Sequence, residues 1–281
     1  MKEGLKKRIV TGVVLAVSVV AAVSLLDLVP LAIVLGSVVA IAAWEWSTLM
    51  GLQQLWARSL CPVVAALGMY GLFQYCQLGG EPDLENVQPL LGLAGLWWAI
   101  ALLWVKGYPA SAGLWGNPVM LALIGALVLF PPWLSVVYLL SYEQGRILLL
   151  AMVVIVAFAD IGAYFAGKQF GKRKLALEVS PGKSWEGFWG GFLLCQLTAL
   201  AVGLSLPTPQ LSLPALLAIV ACTSLVSVLG DLVESMVKRH AGVKDSGILL
   251  PGHGGFLDRI DGITSAAPVF ALGLILAGWL P

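Results

Sequence analysis

The chain has 281 residues, 59% of them hydrophobic and 11% charged, with a formal net charge of +1. A soluble domain carries about 25% charged residues, so this composition excludes a water-soluble globular fold: too little polar surface exists to cover a core. Lipid must serve as part of the solvent. The four cysteines, Cys61, Cys76, Cys195 and Cys222, lie in apolar stretches without a C-x-x-C pair, and they read as small buried hydrophobes.

A membrane helix needs about 20 apolar residues. Basic Lys2, Lys6, Lys7 and Arg8 lead into the first such run, 9–26, which is too long for a signal-peptide core and lacks a small-residue cleavage site. Eight more follow, at roughly 28–44, 59–78, 88–105, 117–140, 147–166, 188–206, 212–232 and 262–280. Only Asp27 separates the first two, which predicts a tight hairpin. Pro131-Pro132 is expected to kink or break the fifth. Trp44, Trp46, Trp97, Trp98 and Trp104 fall near span ends and are expected to be interfacial anchors. The predicted fold is therefore all-α, a polytopic bundle of about nine transmembrane helices.

Placing the N-terminus in the cytoplasm puts all of the 16 Lys and Arg residues except Arg146 on the cytoplasmic side. That is a strong positive-inside asymmetry. It predicts a multi-pass protein of the cell (inner) membrane. Charged residues number 14 up to position 159 and 17 within 160–262. Residues 1–159 thus read as membrane scaffold, and 160–281 as catalytic helices and cytoplasmic loops of the same continuous bundle, with the active site facing the cytoplasm.

Three stretches carry chemistry. Asp160 interrupts the run AMVVIVAFADIGAYFAG, where an ionisable side chain at membrane depth points to function; Tyr164 shares its face one turn on. The loop that follows ends in Ser180-Pro181-Gly182-Lys183-Ser184-Trp185-Glu186-Gly187. Its Gly-Lys-Ser is not a P-loop, because the required upstream glycine is Leu177 and no soluble strand precedes it. Lys183, Ser180 and Ser184 can still bind phosphate.

The third stretch, Gly230 to Gly262, is the richest. Asp231, Glu234, Ser235 and Lys238 stand at i, i+3, i+4 and i+7 on one helical face. Lys244-Asp245-Ser246-Gly247 and the glycine-rich turn around His253 follow, and Asp258-Arg259-Ile260-Asp261 opens the last helix. Asp231, Asp258 and Asp261 near one membrane boundary are hard oxygen donors of the kind that hold Mg²⁺ together with substrate phosphates. Lys238, Arg239, Lys244 and Arg259 among them supply positive charge. Acids for metal and bases for phosphate are the requirements of phosphoryl or nucleotidyl transfer.

Ser235, Lys238-Arg239, Lys244-Asp245, Gly247, Pro251, His253-Gly254-Gly255, Asp258-Arg259 and Asp261 together resemble the signature of the phosphatidate cytidylyltransferase (CDP-diacylglycerol synthase) family. The stretches at Asp160 and Ser180 are similar to that family as well. The resemblance implies a multi-helix homodimer in the bilayer that converts CTP and phosphatidate to CDP-diacylglycerol and pyrophosphate. It implies Mg²⁺, with K⁺ as a second cation, held by Asp231, Asp258 and Asp261. Those three and Lys238 are the expected catalytic residues. Asp160, Ser180, Lys183, Ser184, Ser235, Arg239, Lys244, His253 and Arg259 are the expected substrate contacts. No nucleic-acid partner is implied. Two alternatives compete. A CDP-alcohol phosphotransferase shares the D-x-x-D-G fragment, but its motif wants Ala-Arg two residues after Gly262, where this chain has Ser265-Ala266. A secondary transporter would use buried charge at a broken helix, whereas these charges gather at one face and no internal repeat is visible.

Overall fold

The structure, a computed structural model, describes residues 14, 17–205, 212–247, 249 and 254–280. Its helices are α1 (Leu28–Leu49), α2 (Leu55–Tyr75), α3 (Leu84–Gly107), the single-turn α4 (Ala112–Trp115), α5 (Pro118–Leu140), α6 (Gly145–Phe170), α7 (Trp185–Ser205), α8 (Leu213–His240) and α9 (Leu257–Leu276). Strands β1 (Lys174–Ala176) and β2 (Ser180–Ser184) form an antiparallel hairpin between α6 and α7. Among the described residues, eight helices are long and apolar enough to cross a membrane. They match the second to ninth expected spans, so the chain is an integral membrane protein built as a polytopic helical bundle. The first expected span, 9–26, lies largely outside the described residues; its 17–25 portion is helical.

Local sequence starts these helices. Asn117 accepts the Met120 N–H at 3.0 Å, with Pro118 at the first helical position of α5. Asp83 accepts from the Glu85 N–H at the start of α3. Pro131-Pro132 does not break α5, which continues through both; Ser135 Oγ donates to the Pro131 carbonyl at 2.6 Å. Arg146, at the start of α6, donates to the carbonyls of Ser24 and Leu26 and so caps the helical segment that precedes α1.

Helix α9 is central: it packs against α8, α5, α3, α6 and α1. The tryptophans correct a sequence expectation. Trp46, Trp97 and Trp98 are buried rather than interfacial. Trp46 Nε1 donates to the Leu121 carbonyl at 2.8 Å, tying α1 to α5. Trp97, Trp104 and Trp115 form a run of ring contacts that ends on His240 at the close of α8. An indole that finds a partner or an aromatic neighbour packs inside as readily as at the interface.

Helices α6 and α7 are pressed together along glycines, as membrane helices are when packing replaces the hydrophobic effect as the source of association. A Cβ at Gly191 would run into the Ala159 carbonyl, and one at Gly162 would meet the Gly191 backbone at 2.8 Å. Gly191→Leu is therefore expected to destabilise the bundle by about 1–3 kcal/mol or more, read as a lowered unfolding temperature in detergent. Gly92→Ala, where a Cβ meets nothing within 4 Å, is expected to be neutral or stabilising.

Candidate active site

The polar residues collect where the C-terminal ends of α6 and α8 meet the N-terminal ends of α7 and α9. The loop after α6 is fixed first. Glu186, in the first turn of α7, accepts the backbone N–H groups of Lys172 and Arg173 at 3.1 and 3.2 Å and pairs with the Arg173 side chain. Ser184 Oγ accepts the Gly187 N–H at 3.2 Å, capping α7. The β-hairpin thus projects from two anchored ends and carries Lys183 inward.

There Lys183 Nζ lies 2.6 Å from Asp231 Oδ2, and Ser235 Oγ donates to Asp231 Oδ1 at 3.1 Å. Lys183 and Asp231 line a cavity of about 370 Å³ with Asp160, Tyr164, Lys168, Ser184 and Phe188. Asp160 lies within electrostatic reach of both Lys183 and Asp231. Four of the residues expected at the site, Asp160, Lys183, Ser184 and Asp231, thus line one cavity.

A second network lies deeper. Lys238 Nζ sits 3.0 Å from Glu234 Oε1 and 2.5 Å from Asp258 Oδ1, with Glu234 3% and Lys238 8% exposed. Asp258 Oδ2 accepts the N–H groups of Ser246 and Gly255 at 3.0 and 2.8 Å. Residues expected to act together on one face of α8 are therefore divided. Asp231 faces the cavity with Ser235 bonded to it, while Glu234 and Lys238 turn inward against α9. Lys238 is neutralised inside the protein, and Asp258 is occupied at both oxygens.

Asp261 is half-buried one turn beyond Asp258, and its Oδ1 accepts the Gly262 N–H at 2.7 Å. The charges of Asp231, Lys183 and Lys238 act on it. It meets α8 at Gly230, where a Cβ would collide with the Asp261 carbonyl and Ser265 Oγ. Only glycine permits this approach, and it sets Asp261 beside the residue that precedes Asp231. Among the described residues, no three His, Cys, Asp or Glu side chains are grouped to hold a metal ion by themselves.

The remaining expected contacts are spread out. Arg239 is exposed; it donates to the carbonyls of Val179 and Val243, each at 3.3 Å, and so braces the hairpin against the end of α8. Ser180 starts β2 and is only partly buried. Lys244 and Arg259 are exposed. His253 lies outside the described residues.

Two participants escaped the sequence reading. Lys168 adds a second cation to the cavity wall, two turns after Asp160. Glu45, in α1, is 2% exposed and accepts from Ser246 Oγ and from the Phe256 and Leu257 N–H groups. Its signal was present: a carboxylate between Trp44 and Trp46 in an apolar helix meets the criterion that singled out Asp160.

A membrane bundle with ammonium groups and carboxylates around one cavity defines a broad class, membrane proteins with a charged polar site. Comparison with known sequences narrows the class. The chain matches the cytidylyltransferase family over residues 6–276 and belongs to it. It is 44% identical over 275 residues to a phosphatidate cytidylyltransferase of Pseudomonas aeruginosa, with 98% of each chain covered. To the phosphatidate cytidylyltransferase of Haemophilus influenzae it is 39% identical over 281 residues, covering 95% of this chain and 97% of that one. A phosphatidate cytidylyltransferase of Bacillus subtilis is 45% identical over 128 residues, which span 45% of this chain and 46% of the relative.

The two ion-pair networks predict opposite sensitivities. Lys183→Met breaks a pair whose side chains are 24% and 32% exposed, and is expected to change stability by no more than about 1 kcal/mol. Lys238→Met leaves Glu234 and Asp258 buried without their ammonium, and is expected to cost about 3–5 kcal/mol. Thermal unfolding of both variants in detergent checks the contrast.

Proposed function

We propose that this chain transfers the CMP group of CTP to phosphatidate, forming CDP-diacylglycerol and releasing pyrophosphate. The observation that carries the reading is the cavity wall of Lys183, Asp231 and Asp160, built from the motif stretches of a cytidylyltransferase-family chain whose full-length relatives bear the name phosphatidate cytidylyltransferase. Transfer from CTP is favoured over a phosphotransferase or a transporter by that family membership.

The phosphatidate phosphate is already ionised near neutral pH and needs no strong general base. One of its oxygens attacks the α-phosphorus of CTP; the new P–O bond forms as the bond to the β-phosphate bridge breaks, and pyrophosphate departs with the electron pair. Lys183 and Lys168 lower the electrostatic cost of bringing two polyanions together in the cavity. Asp231 and Ser235 hold Lys183 at its position. Lys238 and Asp258 brace the α8–α9 junction from which Asp231 and Asp261 project.

The donor set fits a divalent cation. Six carboxylates, Glu45, Asp160, Asp231, Glu234, Asp258 and Asp261, lie around the cavity and the start of α9 with three ammonium groups, Lys168, Lys183 and Lys238, an excess of carboxylate charge. Asp231 and Asp261 would hold Mg²⁺ together with substrate phosphate oxygens, the usual ligand mix for this ion. Mg²⁺ supplies neutralisation of phosphate charge when bound. K⁺ as a further counter-ion belongs to the same reading, as does a homodimer; both rest on the family likeness. The asymmetry of Lys and Arg supports nine spans with a cytoplasmic N-terminus and the site on the cytoplasmic side of the inner membrane.

Purified protein in detergent is expected to release pyrophosphate only when CTP, phosphatidate and Mg²⁺ are all present, with EDTA abolishing and excess Mg²⁺ restoring release. Asp231→Asn and Asp261→Asn are each expected to lower turnover by about 100-fold or more. Near-normal turnover in a well-folded Asp261→Asn protein would remove the metal assignment.

A further inference from the structure

Glu45 lies in the part of the chain that looks like scaffold, yet its carboxylate ends at the junction that carries Asp258 and Asp261. Oε2 accepts Ser246 Oγ–H at 3.2 Å and Leu257 N–H at 2.9 Å; Oε1 accepts Phe256 N–H at 3.0 Å. Phe256 and Leu257 are the N-cap and first residue of α9. Their N–H groups have no partner within the helix, and a carboxylate there also suits the positive end of the helix dipole.

The surroundings are shaped to admit this group. A Cβ at Gly247 would strike Glu45 Oε1, and a Cβ at Gly255 would strike Ser246 Oγ and both Glu45 oxygens. Meanwhile Asp258 receives the Ser246 and Gly255 N–H groups. Two carboxylates thus draw Ser246 to the start of α9, one from α1 and one from α9, and Lys238 joins the second of them to α8.

We propose that Glu45 is a positioning residue for catalysis: it fixes the start of α9, and through it the places of Asp258 and Asp261, without touching substrate. The role rests on the cytidylyl-transfer reading above. Glu45 does not line the cavity, so its loss should misplace reacting groups more than it weakens substrate binding. A misplacement of about 1 Å can cost about 100-fold in rate.

Glu45→Gln keeps the side chain's size but presents an amide N–H to groups that only donate or prefer to donate. In the monodisperse fraction it is expected to lower kcat about 10- to 100-fold, with KM for CTP and for phosphatidate changed less than about threefold. Ser246→Ala removes one contact alone and is expected to lower kcat severalfold at wild-type unfolding temperature. In the double variant the Ser246 effect should vanish, because the two side chains act as one unit. If Glu45→Gln does not fold, Ser246→Ala decides: unchanged kcat overturns the role. Equal kcat for wild type and folded Glu45→Gln, or a loss wholly in KM, overturns it as well. Wild-type protein measured beside the variants separates the two levels. An active wild type with an unaffected Glu45→Gln removes only the positioning role, whereas an inactive wild type removes the reading beneath it and the role together.

Discussion

The ammonium of Lys238, held between Glu234 and Asp258, is the interaction on which the site depends. A buried charge is tolerated only when it is paired, and removing one partner leaves the others stranded in low dielectric. The pairing therefore constrains the backbone. It locks α8 to the first turn of α9, and the second oxygen of Asp258 fastens Ser246 and Gly255 to the same point. One turn further on, Asp261 follows as a consequence. Gly230 allows its backbone to lie against α8, which brings it within reach of the Asp231 charge.

Around that anchor the polar groups divide by depth. The inner network of Glu45, Glu234, Lys238 and Asp258 is shut off from the cavity and sets geometry. The outer network of Asp160, Lys183 and Asp231 borders a space of about 370 Å³ and is available to ligand. Lys183 is itself carried on a hairpin whose ends are fixed by Glu186 and Ser184. Rigid helices thus hold the acids, and a short anchored hairpin brings in the cation. That division suits nucleotidyl transfer, where positioning and electrostatics do most of the catalysis.

Much of this was legible in the sequence, because lipid imposes a strong rule: every described spanning segment must read as a long apolar run. The eight described spans, the polar clustering after 160 and the presence of Asp160, Lys183, Ser184 and Asp231 at the cavity follow from that rule and from the motif. Other features depended on neighbours that a one-dimensional reading does not reveal. Helical periodicity put Asp231, Glu234, Ser235 and Lys238 on one face, but the position of α9 decided which of them turn inward. The hairpin at 174–184 is too short for a pattern of its own. Trp46 sits near the end of α1, while Trp97 and Trp98 lie near the middle of α3, and neighbouring helices cover all three. Glu45 shows the opposite failing: its signal was local and clear, but its partners are some 200 residues away in sequence.

The most direct test of the account follows the phosphorus. Purified protein is given phosphatidate and Mg²⁺ with CTP labelled at either the α- or the γ-phosphate, and the lipid and aqueous phases are separated. Cytidylyl transfer to phosphatidate predicts that α-label enters the lipid phase as a CDP-lipid while γ-label stays in water as pyrophosphate. Gamma-label in the lipid, or no label from either position in the lipid, would contradict it.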